Sequence, residues 1–155
     1  MIPTLVQGFW YKYNKQKTSF QFGILNKIAP RSTGKFYGIG ESIGTYPVGR
    51  NNFGTASQYA DNTASDYILM ANVDFEVTDD FNLRIWNQYV DNIFNSFYIK
   101  PGYKISESLM LEGEWLHQNK AGDGGSGIDS LRYFNQKSSD VLGTKIAYKS
   151  KAGLV

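Results

Sequence analysis

Charged residues recur at even spacings in this sequence. Asp74 and Glu76 lie two apart, as do Glu112 and Glu114, while Lys100 and Lys104, and Lys145 and Lys149, lie four apart. In an extended strand an even spacing puts both members of a pair on one face. With Arg84, the lysines would make a surface that attracts anions, and the carboxylates would attract cations. That chemistry is sorting of charged solutes rather than bond making. The same spacing also describes the wet face of an ordinary sheet with cross-strand charge pairs. Glu112 and Glu114 share a face, as a catalytic carboxylate pair would, yet no counterpart group can be named. His117 is the single histidine and sits beside Trp115 at a strand end, which suits an interface residue better than a base. There is no nucleophile motif, nucleotide loop or metal-ligand spacing. The reading is therefore of a protein that is not an enzyme, with no cofactor and no metal.

Composition narrows the setting. The 155 residues include 16 Lys+Arg against 14 Asp+Glu, a net charge of +2, and no cysteine. Disulfides and thiolate sites are excluded. Scattered lysines at so low a net charge leave no footprint for nucleic acid. Aspartates 61, 66, 79, 80, 123 and 129 fall at turns, and Asp123-Gly124-Gly125 lacks the spaced oxygens of a calcium loop. The longest unbroken apolar run is the five residues from Tyr67 to Ala71. A membrane helix needs about 20. A membrane β-barrel does not, because only every second residue of a strand meets lipid. The N-terminus has neither the basic start nor the apolar stretch of a signal peptide. Both ends stop close to structured segments, so the chain is expected to be a fragment or a mature piece.

The elements that must position those charges are strands. Period-2 alternation dominates. Strands are expected at residues 8–13, 18–28, 65–77, 81–90, 97–105, 109–117 and 138–150. One face carries Phe20, Phe22, Ile24 and Ile28, then Leu69, Val73, Phe75, Leu83, Ile85, Ile99, Leu111 and Ile146. The other carries Asn72, Asp74, Glu76, Asn82, Arg84, Gln88, Lys100, Lys104, Glu112, Glu114, Lys145 and Lys149, with Trp86 breaking its polarity. Pro101 costs a ladder bond, and a bulge or irregular pairing is expected there. Short turns are expected at residues 14–17, 78–80 and 106–107. A long Gly-rich loop near residues 30–62 holds a short strand or turn pair around 35–43 and ends in Asn51-Asn52-Phe53-Gly54. A shorter loop spans about 119–137. The fold class is all-β, a single antiparallel meander of six to eight long strands.

Two architectures share this pattern. In a soluble barrel or sandwich the apolar face closes on a core, and the long loops bind a ligand. In a membrane barrel the apolar face meets lipid, with short turns at one end and long loops at the other. Strands near 10 residues suit the second. So do aromatics near strand ends, among them Phe9, Trp10, Tyr11, Tyr13, Phe81, Tyr89, Phe94, Phe97, Tyr98, Trp115 and Tyr148. Aromatics also favour strands for packing reasons alone.

The segments Asn26-Lys27-Ile28-Ala29-Pro30-Arg31-Ser32-Thr33 and Gly40-Glu41-Ser42-Ile43-Gly44-Thr45-Tyr46-Pro47-Val48-Gly49 resemble the OprD-like, substrate-selective outer-membrane porins. Tyr89-Val90-Asp91-Asn92-Ile93-Phe94 and the stretch from Gly124-Gly125 to Arg132-Tyr133-Phe134 extend the resemblance. It implies an internal segment of a barrel of about eighteen strands, in the outer membrane of a Gram-negative bacterium. It implies passive, charge-selective diffusion of small solutes, carboxylates among them, with lipid and the remainder of the barrel as partners. Pore-lining candidates are then Arg84, Lys100, Lys104, Lys145, Lys149, Asp74, Glu76, Glu112 and Glu114. Arg31, Glu41 and Arg50 would border a constriction formed by the long loop. The sequence departs from the family in its few strands and in ending on Val155 rather than an aromatic residue.

Overall fold

The computed structural model describes residues 3–45, 49–50 and 54–149. The Asn51-Asn52-Phe53 turn, the Tyr46-Pro47-Val48 motif, Ser150 as the end of the last strand and Val155 lie outside the described residues. Seven long strands form one antiparallel sheet: β1 Leu5–Lys15, β2 Thr18–Ala29, β4 Ile68–Glu76, β5 Phe81–Val90, β6 Phe94–Ser106, β7 Leu109–Lys120 and β8 Ser138–Tyr148. A two-residue strand β3, Tyr37–Gly38, pairs with β2 and leads into a six-residue helix α1, Ile39–Gly44. Each long strand pairs with the next long strand in the chain, which is an uninterrupted meander.

Alternation sorts the side chains because the register runs across every strand. Tyr13, Phe20, Val73, Ile85, Ile99, Trp115 and Leu142 are successive partners from β1 to β8. Leu69, Phe75, Leu83, Leu111 and Ile146 fall on the same face. None of these residues is buried, and Leu142 and Ile146 are 80% and 72% exposed. No layer of this chain covers that face among the described residues. The neighbouring row on the opposite face reads Asn14, Ser19, Asp74, Arg84 and Lys100. Expected girdle residues Phe81, Tyr89, Phe97 and Tyr148 keep to the apolar face. Trp10, Phe94 and Tyr98 stand on the polar one, because each is an odd number of residues from its apolar-face neighbours.

Two departures from the expected pattern have local causes. In β2 the register shifts so that Gln7 pairs Lys27 and Gly8 pairs Leu25, leaving Asn26 as the extra residue of a bulge. A bulge resets alternation, so Ile28 leaves the apolar face and packs with Ile39, Ile68, Val90 and Ile93. Gly8 is required there, since a Cβ would lie 2.0 Å from the Ile24 carbonyl oxygen. At Pro101 no bulge forms. Pro101 pairs regularly with Leu83, and the β6–β7 register is unshifted on either side of it. The pairing itself steps from Ile99–Trp115 to Gly102–Glu112 and gives Lys100 and Pro101 no partner in β7, which is the irregular pairing expected there; a register shift follows between Lys104 and Ser106.

The connections alternate in length. Residues 16–17, 77–80 and 107–108 make short turns at one end of the sheet. Residues 30–67, 91–93 and 121–137 lie at the other. The helix within the first long connection was not foreseen; six residues are too few to show a 3.6-residue period. Glu41 accepts a bond from the Gly38 backbone N–H at 3.0 Å and so closes its first turn. The small core of Ile39, Ile68, Val90 and Ile93 sits beneath α1, at the long-connection end of the polar face.

At the short-turn end Lys17 pairs with Asp79, tying the β1–β2 turn to the β4–β5 turn. This contact holds the Asp79 carboxyl below its usual range and the Lys17 ammonium above its own. A depressed carboxyl stabilises the fold above the unfolded value of about 4 and loses that contribution as pH falls through the folded value. The raised lysine loses its share as pH rises past about 10. Urea-unfolding midpoints of the native chain and Asp79→Asn are therefore expected to differ by a small, salt-sensitive amount at neutral pH. The two are expected to converge in acid.

Candidate functional site

The concave, polar side of the sheet holds an open trough of about 860 Å³ toward the short-turn end. Asp74, Glu76, Arg84, Lys100, Lys104 and Glu112 contribute to its lining. Each is there because its strand presents an apolar neighbour outward. The charges are matched rather than free. Arg84 Nε meets Asp74 Oδ1 at 2.5 Å, and Asn72 Nδ2 donates to the other Asp74 oxygen at 2.9 Å. Glu112 Oε2 lies 3.2 Å from Lys100 Nζ and 3.1 Å from Lys145 Nζ. These two contacts are ion pairs without aligned hydrogen-bond geometry. Tyr98 donates its hydroxyl proton to Glu114 Oε2 at 2.9 Å.

The structure thus brings six expected pore-lining residues into one patch: Asp74, Arg84, Lys100, Glu112, Glu114 and Lys145. Glu76 and Lys104 sit at its margin near the short turns, and Lys104 pairs with Glu107 at 2.7 Å. Lys149 follows the last residue of β8, where its N–H bonds the Ser108 carbonyl at 2.8 Å. Arg31, Glu41 and Arg50 lie at the other end of the sheet, in the long connection. Arg31 is exposed just past β2, Glu41 caps α1, and Arg50 Nη1 donates to the Gly54 carbonyl at 2.6 Å. Charged wall and long connection therefore occupy different levels along the strands. Parity puts Tyr98 on the Lys100 face, but it was not expected among the wall residues because aromatics near a strand end read first as girdle or packing groups.

Polar groups interrupt the apolar face at several points, among them Asn87, whose Nδ2 donates to Asn95 Oδ1 at 3.0 Å, and the pair His117 and Asp140. His117 Nδ1 and Trp115 Nε1 approach the same Asp140 oxygen at 2.9 and 2.8 Å, the indole donating.

Comparison with solved structures defines the fold. The chain superposes on OpdO of Pseudomonas aeruginosa with a TM-score of 0.62 at 12% identity, covering 97% of this chain and 35% of that one. OccAB2 of Acinetobacter baumannii gives 0.62 at 13%, covering 96% and 34%. OccK8 (OprE) of Pseudomonas aeruginosa gives 0.61 at 14%, covering 96% and 38%. These proteins are porins, channels rather than enzymes. The fold is that of the OprD-like porin β-barrels, and the chain spans about a third of the length of the structures it matches. Neither protein-family models nor curated proteins match the sequence.

Glu112 is the shared anchor of two lysines, and its side chain is only 13% exposed. Glu112→Gln is expected to lower unfolding stability by roughly 0.2–1 kcal/mol, the usual range for ion pairs whose lysines reach solvent. Lys145→Gln is expected to cost less, because Lys100 still answers the carboxylate. Chemical denaturation of both variants and the double variant measures the difference.

Proposed function

We propose that these strands are one sector of the wall of an outer-membrane porin of a Gram-negative bacterium, and that small solutes cross beside its polar face by passive, charge-selective diffusion. The observation that carries this is the apolar row from Tyr13 to Leu142, which crosses all seven strands with no layer over it among the described residues. A soluble barrel or sandwich would turn those residues inward to a core. Here the small core sits on the opposite face, under the long connection. Lipid is the partner that removes such a belt from water. Strands of 9 to 13 residues span a bilayer core when tilted.

The edges of β1 and β8 offer unpaired backbone groups, which a membrane does not tolerate. Further strands complete the barrel. Within the pore, Lys100 and Lys145 engage solute carboxylates on one side of Glu112. The long connection, with Arg31, Glu41 and Arg50, narrows the passage at its own level.

Two measurements test this. In planar bilayers the complete barrel containing these strands is expected to give discrete conductance steps. Replacing Lys100 and Lys145 with glutamate should move its reversal potential toward cation preference, about fivefold per roughly 1 kcal/mol of altered wall potential. Absence of steps would sink the pore reading. Separately, Ile85→Arg on the apolar face should destabilise the lipid-embedded barrel by about 2–4 kcal/mol. Gln88→Arg on the polar face should have little effect.

A further inference from the structure

We propose that Asn92 is the clasp that holds both long connections in place over the polar face, and that it thereby sets the width of the passage; this rests on the porin reading above. Asn92 belongs to the three-residue turn between β5 and β6, the shortest connection at its end of the sheet. That turn stands between the two long connections, and Asn92 bonds to both. Its Nδ2 donates to the Ala64 carbonyl at 3.1 Å, in the connection before β4. Its Oδ1 accepts from the Asp123 N–H at 2.8 Å, in the connection before β8. Its own carbonyl accepts from the Gly125 N–H at 2.7 Å. The connections then meet directly, with the Ala64 N–H donating to the Gly125 carbonyl at 2.7 Å.

The backbone is shaped for this. Asn92 has φ 56°, a left-handed conformation that asparagine adopts more readily than most residues. Gly122, at φ 51°, lies against the amide, and a Cβ there would stand 2.2 Å from Asn92 Oδ1. Glycine at 122 is thus what admits the clasp. Around it the connections add apolar weight: Phe94 meets Phe134 at 5.6 Å, and Tyr59 meets Tyr133 edge-on at 5.0 Å. Ile93, the next residue, is fully buried in the core beneath α1. Without the two side-chain bonds, the long connections keep their apolar contacts and the backbone bonds at Gly125, but lose the two ties to Ala64 and Asp123 that add to them.

The test uses the complete barrel in planar bilayers. Asn92→Gly keeps the left-handed turn and deletes both side-chain bonds. Asn92→Asp keeps the acceptor for Asp123 and deletes the donor to Ala64. Heat-modifiable gel migration reports the barrel itself; conductance and open-channel noise report the passage. The glycine variant is expected to migrate as the native barrel while populating a wider conductance level roughly tenfold more often, the shift two lost hydrogen bonds bring. The aspartate variant should fall between. A glycine variant with native conductance and noise overturns the clasp. So does loss of heat-modifiable migration, since the residue would then hold the barrel rather than its connections. Conductance steps missing from the native barrel overturn the porin reading itself, and with it this role for Asn92.

Discussion

Every backbone N–H and C=O inside a sheet must find its partner in the neighbouring strand, and that requirement ties the seven strands into a single register. Once the register is continuous, the two-residue period of the strand does the rest. A residue's parity decides whether it faces outward or toward the charged trough. The consequence is strict, because a slip of one residue in any strand would exchange all of its apolar and polar side chains. The bulge at Asn26 makes the same point locally. One extra residue sends Ile28 from the apolar face into the core beneath α1, and the chain beyond it turns over the polar face rather than away from it.

The electrostatics of the wall follow from how close its charges stand. Arg84 is already answered by Asp74, and Glu112 stands between two lysines. Such a wall has a field that changes sign over one strand spacing. Each of these charges is therefore already balanced by a neighbour on the next strand.

Much of this was legible from alternation. Residues 81–90 were expected as a strand and are one, and the belt from Leu69 to Ile146 lies on one face as read. Alternation is visible because, away from the core at the long-connection end, each strand has one mostly apolar and one mostly polar face. What it cannot express is long-range pairing. Asn92 reads locally as a turn residue, which it is; its partners stand 28 and 31 residues away and leave no mark in the surrounding sequence. Pro101 was legible in part. Its missing N–H suggested a bulge or irregular pairing; the pairing with β7 is interrupted there, but losing a ladder bond does not require the neighbouring residues to slip. The patch of Asp74, Arg84, Lys100, Glu112, Glu114 and Lys145 was foreseen as a face. Its pairing into matched ions depended on which strands are neighbours, and so did the separation of Arg31, Glu41 and Arg50 from it.

The direction of the outer strands has an arithmetic consequence. β1 and β8 both run from the long-connection end toward the short turns, because seven antiparallel strands begin and end on the same heading. Copies of this sheet arranged in a ring would bring β8 of one against β1 of the next in parallel. A two-fold pairing of β8 with β8 would restore antiparallel order only by turning one copy upside down. An all-antiparallel barrel with every long connection at one end therefore cannot be made from these strands alone, in any number of copies. Whatever closes it must supply an odd number of strands, starting and finishing on the opposite heading.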